Sequence, residues 1–274
     1  IERNNDKDVK NALRKLISPF LLRRRKNEVL QELPSRTEIT LTVQLSEAER
    51  AFYEALRRSA LEKLTNENQG DGEGQKQMRI LAEIMRLRRA CCNPKLVDET
   101  TTISSAKLQL FSETLDELLD NGHKALVFSQ FVGHLRILEA HLKEKNISYQ
   151  YLDGQTSLKD REKAMTQFQA GKGDVFLISL KAGGVGLNLT AADYVIHMDP
   201  WWNPAVEDQA SDRAHRIGQK RPVTIYRLIT EETIEDKILQ LHAQKRDLAD
   251  SLLEGADGGV RLTSEDLLEL LRTR

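Results

Sequence analysis

From residue 104 onward, short apolar runs alternate with amphipathic stretches, and that alternation leaves few folds open to the chain. Lys124–Ser129, Ile147–Leu152, Asp174–Ser179, Tyr194–Met198 and Val223–Ile229 are compact runs rich in Val, Ile, Leu and Phe. Each is too short for a buried helix and borders glycine or polar turn residues, so each reads as a strand. Between them, Leu135–Lys145 has helical spacing and Ser157 caps a helix that Gly171 ends. Asn203 and Pro204 then supply an N-cap and an N1 proline for a further helix. Apolar strands without alternation are buried on both faces, and strand–helix–strand connections make neighbours parallel. The expected fold class is α/β, a parallel sheet sandwiched by helices over 104–253.

The residues before 104 are patterned differently. Ser46 and Glu49 form a capping-box pair at the head of an amphipathic helix over 46–67, with apolar residues at 52, 56 and 60. A polar, glycine-rich break over 66–74 follows, and Gln77–Ala90 then carries Ile80, Leu81, Ile84 and Leu87 on one face. The two helices make an α-helical hairpin, assigned to 46–103. Upstream, 11–33 reads as helical, and after Pro34 the alternating Ile39, Leu41, Val43 and Leu45 fit either a short strand or an extended linker; 1–45 is taken as a linker with its helix. At the other end, Ile234, Ile238, Leu241, Leu248 and Leu252 stripe a packing helix over Glu232–Leu253, and 254–274 reads as a tail helix.

Composition narrows the function classes. With 41 basic and 42 acidic side chains the chain has a net charge of −1, so it is not coated in positive potential and any nucleic-acid contact must be local. Cys91 and Cys92 are adjacent, too close for an ordinary disulfide and without partners at zinc spacing, which reads as buried thiols in a reducing compartment and no metal site. No apolar run approaches the roughly 18 residues of a membrane helix. The opening Ile-Glu-Arg-Asn-Asn-Asp is neither a signal peptide nor a methionine start and reads as the interior of a longer protein.

The segment Asp208–Gln219 carries Arg213 and Arg216, expected on one face of the helix begun at Asn203 and stopped by Gly218. Asp212 is spaced to answer Arg216, whereas Arg213 has only Gln209, Ala210, Arg216 and Ile217 at helical distances. Two readings fit Arg213: a tertiary carboxylate or water, or an outside anion such as phosphate, which suits a planar and permanently charged fork. In open parallel sheets ligands gather beyond the carboxyl ends of the strands. At those ends stand Ser129 and Gln130, Gly154-Gln155-Thr156, Ser179, and Asp199-Pro-Trp-Trp-Asn203, groups able to hold phosphates. Thr156 and Ser179 fit the capping of the following turns equally well. Gly183-Gly-Val-Gly186 alone signals a tight turn, and at least one of Trp201 and Trp202 is expected to face solvent, because adjacent strand-end side chains point apart.

Together, Ala125–Phe131, Tyr151–Thr156, Ile178–Thr190, Asp199–Pro204 and Asp208–Gln219 resemble, in order and spacing, the second-lobe motifs of Swi/Snf-type DNA-dependent ATPases. Pro19–Lys26 with Leu33-Pro34 is similar to that family's exit from its first lobe, and 46–95, including Cys92–Leu96, to its helical protrusion. The wording of the motifs looks more like the bacterial branch. The resemblance implies a RecA-like second helicase lobe in which Arg213 and Arg216 act as arginine fingers and Gln209 couples nucleotide to lobe closure. It implies that Gly184, Gly186 and Asn188 lie between nucleotide and DNA, and that Ser129, Gln130, Thr156, Ser179 and Trp202 face the DNA backbone. Contact with backbone rather than bases suits an enzyme that moves along any sequence.

The implied cofactors are ATP and Mg2+, bound mainly by the first lobe. The implied partners are double-stranded DNA, the N-terminal RecA-like lobe of the same protein, and protein–DNA complexes as cargo. The implied location is the bacterial cytoplasm, or the nucleus in a eukaryote, and the stripe over Glu232–Leu253 has a second reading as a brace to the first lobe. No Gly-x-x-x-x-Gly-Lys-Ser/Thr and no Asp-Glu-x-His box occurs in these residues, so the chain by itself is not expected to be a competent ATPase. Two rivals stand beside this reading: a strand-separating helicase of the same superfamily, and a non-catalytic module whose arginines bind an acidic partner.

Overall fold

The computed structural model describes residues 33–66, 73–182, 188–241 and 264–272. Strands β1 (Arg36–Val43), β2 (Ala125–Ser129), β3 (Tyr149–Leu152), β4 (Val175–Ser179), β5 (Tyr194–His197) and β6 (Val223–Thr230) form one sheet in the order β1-β6-β5-β2-β4-β3. Every neighbouring pair is parallel. The helices are α1 (Glu47–Asn66), α2 (Glu73–Cys92), α3 (Ala106–Asp120), α4 (Val132–Glu144), α5 (Leu158–Gln169), α6 (Pro204–Ser211), α7 (234–241) and α8 (Ser264–Arg272). All five expected strands form, and β1 decides between strand and linker: Arg36 to Val43 pairs in register with Val223 to Thr230.

Alternation along the strands sorts the core into two faces. Leu126, Phe128, Phe176, Ile178, Val195 and Ile225 meet Ala164 and Phe168 of α5 and Ala210 of α6. Ala125, Val127, Val175, Leu177, Ile196 and Leu228 meet Phe111 and Leu115 of α3 and Leu135, Leu138 and Leu142 of α4. Because both faces are covered, the strands need no polar side, which is why they read as continuous apolar runs.

A second core builds the hairpin. Tyr53 and Leu56 of α1, Ile80, Ile84 and Leu87 of α2, Ile234 and Ile238 of α7, and Leu267 and Leu271 of α8 pack together. Ile234 and Ile238 thus behave as a packing stripe; Leu248, Leu252, Pro19–Lys26 and all of the expected 11–33 helix but its last residue, a bend at Leu33, lie outside the described residues. The capping box forms, with Ser46 N donating to Glu49 Oε2 at 3.0 Å and Glu49 N to Ser46 Oγ at 3.3 Å. The second oxygen of Glu49 accepts Ala106 N at 2.9 Å and so ties the hairpin to the first residue of α3. Buried Lys107 joins the two cores, donating to Glu235 Oε2 at 2.5 Å, Met198 O at 3.1 Å and Leu228 O at 3.3 Å. Among the described residues no helix is long and apolar enough to cross a membrane.

Candidate functional site

Helix α6 starts as its sequence dictates, with Asn203 Oδ1 accepting Ala205 N at 3.1 Å and Pro204 in the first turn. It ends earlier than expected. Ser211 is the last helical residue and Asp212 the C-cap, so Arg213 and Arg216 sit in the turns beyond, not on a helical face. The cause is the hydrogen bonding. Arg213 N and Ala214 N donate to Ala210 O and Ser211 O, at 3.2 and 3.1 Å, in the tighter three-residue pattern. Arg213 O accepts Leu189 N at 3.1 Å, and Gly218 at φ 101° turns the chain towards β6. Asp212 does not answer Arg216 as its spacing implied: its Oδ1 accepts Arg36 Nη1 from β1 at 3.3 Å, beside Arg36 Nη2 to Asp208 Oδ1 at 2.9 Å.

Gln219, unmarked by any spacing rule, holds this turn in place. Its Nε2 donates to Ala192 O at 2.8 Å, Ala214 O at 3.1 Å and Thr190 O at 3.2 Å. Its Oε1 accepts Lys220 N at 2.8 Å and Arg221 N at 3.0 Å. The turn is thereby fastened to the residues that lead into β5, at the amino ends of the strands. Arg213 is only 6% exposed, and its Nε is buried without an acceptor. Burial pushes its pKa down, and the charges of Arg161 and Arg216 push the same way. Arg161, in the first turn of α5, likewise has a buried Nε without an acceptor. Like charges gathered without an acid are costly, and buried donors without partners call for an explanation outside the chain. Arg216 and Gln209 are exposed, as is Asn188; Gly184 and Gly186 lie outside the described residues.

The residues expected to face DNA sit at the opposite, carboxyl ends of the strands, so the two groups do not share one rim. Ser129 is buried, and its hydroxyl donates to Asp199 Oδ2 and accepts Phe131 N at 3.1 Å. Gln130 donates its backbone N–H to Asp199 Oδ1 at 3.3 Å, while its Oε1 accepts Arg88 Nη1 at 3.0 Å. Arg88, buried on α2, also donates to Pro200 O and stands 5.5 Å from the Trp202 ring. Burial raises the pKa of Asp199 against the opposing pull of Arg88, Ser129 and Lys107. Ser179 is buried. Thr156 is half-buried, its Oγ1 accepting Asp153 N at 3.0 Å as a turn cap. Both indoles are half-buried: Trp201 packs on the sheet core and Trp202 on the hairpin core, so neither is given up to solvent.

Cys92 of α2, His134 of α4 and Asp199 of the bend after β5 bring one ligand-type atom each within 4.8 Å of one another, all buried. Arg88 and Lys107 bring positive charge to the same place, which opposes a cation there. Burial pushes both thiols up, so Cys91 and Cys92 are inert.

Residues 106–218 match the family model described as the helicase conserved C-terminal domain, and residues 1–96 that of the SNF2-related domain. A solved structure of the C-terminal domain of the Sulfolobus solfataricus SWI2/SNF2 ATPase is 30% identical with a TM-score of 0.68, and the match covers 88% of this chain and 100% of that one. The chain belongs to the SWI2/SNF2 ATPase family. The SWI2/SNF2 ATPase core of the same organism in complex with dsDNA shares 32% identity and a TM-score of 0.72, over 97% of this chain and 56% of that one. An "uncharacterized ATP-dependent helicase" of Mycoplasma pneumoniae is 40% identical over 255 residues, 92% of this chain and 24% of the relative. This SWI2/SNF2 lobe thus spans about a quarter of the length of such curated relatives, at 24% and 25% of the first two. Its parallel α/β sheet with an N-terminal helical segment is the architecture of the SWI2/SNF2 C-terminal lobe.

Proposed function

We propose that this lobe supplies the transition-state half of a divided ATPase site and carries part of a track for double-stranded DNA. The observation that supports the first half is Arg213: nearly buried, without a carboxylate among the described residues, and set against Arg161 and Arg216. A phosphate group from outside the chain satisfies that arrangement as no partner among the described residues does. In this reading a first lobe outside these residues holds ATP and Mg2+, and the nucleotide supplies a phosphoryl group for transfer to water. Arg213 and Arg216 then stabilise the charge that develops on that group, an effect strongest where the guanidinium is already fixed and desolvated. In this reading exposed Gln209 on α6 and exposed Asn188, next to the Leu189 that bonds Arg213 O, couple the arginine turn to the DNA side.

For the second half, a 32%-identical relative core was solved in complex with dsDNA. Thr156, Gln130 and Trp202 outline the track at the carboxyl ends of the strands, buried Ser179 stands at the end of β4 there, and Ser129 acts through Asp199, which it fixes. With a net charge of −1, attraction to DNA is local to that track.

The test is DNA-stimulated ATP hydrolysis by the full-length protein. Arg216→Ala is expected to lower it by about three decades or more while leaving ATP affinity within about tenfold, since a finger acts on the transition state. Normal turnover by that variant, or equal activity of an Arg213/Arg216 double variant, would instead support a docking module. Unwinding in a strand-displacement assay would favour a strand-separating helicase.

A further inference from the structure

Arg161 is the residue whose surroundings the proposed reading leaves unexplained. Arg36 and Arg88 also bury an Nε without an acceptor, but their Nη atoms are engaged, by Asp208 and Asp212 in one case and by Gln130 and Pro200 in the other. Arg161 has no such bond among the described residues. Of the two acids flanking it, Asp160 accepts from Ser157 Oγ at 2.7 Å at the cap, and neither Asp160 nor Glu162 forms an ion pair with Arg161. Its charge opposes that of buried Arg213. An arginine held for stability needs a carboxylate, a carbonyl or an aromatic face. This one meets a second arginine in the same condition.

We infer that Arg161 is a third phosphate-binding arginine of the nucleotide site, so that Arg161, Arg213 and Arg216 form a polyphosphate cradle already present in this lobe alone. The inference rests on the reading that the arginine turn faces nucleotide phosphates. Two elements then grip the anion, α5 through Arg161 and the turn after α6 through the other two. Filling the cradle relieves a repulsion that the empty lobe carries, which gives the anion a differential affinity for the ordered turn.

The experiment uses the 274-residue chain and pyrophosphate as the probe, with a short blunt DNA duplex as a parallel arm, read by calorimetric titration and by thermal unfolding at low salt. Wild type is expected to bind pyrophosphate, and Arg161→Gln to bind it about tenfold or more weakly, the loss of one or two charge-assisted hydrogen bonds. Without ligand, Arg161→Gln is expected to melt no lower than wild type, because a like charge has been removed. Arg161→Lys is expected to recover part of the affinity, keeping the charge but not the fork. Equal pyrophosphate affinity of Arg161→Gln and wild type, or no binding by wild type at about 1 mM, overturns the inference. So does a lower melting temperature with unchanged affinity, which marks a structural arginine, or a loss confined to the duplex arm, which assigns Arg161 to DNA. If Arg213→Gln loses pyrophosphate and Arg161→Gln does not, only the role of Arg161 fails; the finger reading stands or falls separately, on Arg216→Ala in the full-length protein.

Discussion

Arg227 and Glu207 form an ion pair out of water, with Nε 2.8 Å from Oε2 and side chains 7% and 0% exposed. The other oxygen of Glu207 accepts Trp201 N at 2.7 Å, and Arg227 Nη1 reaches Glu38 Oε2 at 2.6 Å, so one pair links β6, α6, β1 and the strand-end loop. Removing one partner strands a buried charge, which costs about 3–5 kcal/mol, whereas replacing both by apolar groups costs far less. Arg227→Met, which strands fully buried Glu207, is therefore expected to lose about 3–5 kcal/mol of unfolding free energy, and Glu207→Leu with Arg227→Met to lose less than that single change. Urea unfolding checks this; a double variant that loses the sum of its singles would show the two residues to be independent.

Gln219 is expected to be the most sensitive uncharged residue near the arginine turn. Gln219→Leu keeps the volume but leaves three carbonyls and two N–H groups without their amide partner. Some of these groups reach water when the turn loosens, so the expected cost is about 2–4 kcal/mol, a few times the roughly 1 kcal/mol of a single hydrogen bond. Thermal unfolding gives that number. Pyrophosphate affinity is expected to fall with it, since Arg213 and Arg216 lose their anchor; unchanged stability would mean that the bonds of Gln219 are replaced by water at no cost.

Strands β2 to β6 and the caps at Ser46, Ser157 and Asn203 were legible because each depends on neighbours within a few residues. Strand β1 was not, since it is exposed along most of its length and its partner β6 lies about 190 residues away, so its pattern fits a linker as well as a strand. The arginine turn was misread for a definite reason. Helical spacing assumes that the helix runs to its glycine stop, whereas bonds to Leu189 and the later Gln219 amide draw the chain out of α-geometry after Ser211. Ser129 read as a free hydroxyl because its acceptor, Asp199, lies 70 residues away. Arg161 gave no signal at all, being one charge in the polar stretch Lys-Asp-Arg-Glu-Lys.

Two buried histidines set the acid limit of the lobe. Burial pushes His134 down to about 3, helped by Lys107, and His197 down to about 4, from an ordinary value of 6.5. His134 has no hydrogen-bond partner at either ring nitrogen, and His197 Nε2 meets Ser211 Oγ at 2.9 Å. Both are neutral in the folded chain and protonate on unfolding below pH 6.5, so the unfolded state binds more protons. Stability is thus full above the ordinary histidine value and is lost as pH falls from there towards about 4, by about 1.4 kcal/mol per pH unit for each ring. Carboxylates held low by their partners, Glu207 among them, add to the loss only further into acid. His134→Leu removes one ring from the balance without adding a polar group to the core. Urea unfolding at a series of pH values is expected to show its stability falling between pH 6 and 4.5 less steeply than that of wild type, His197 and the part-buried His141 keeping the remainder of the slope. An unchanged slope would mean that His134 already carries its proton in the folded lobe, held by a partner such as Asp199.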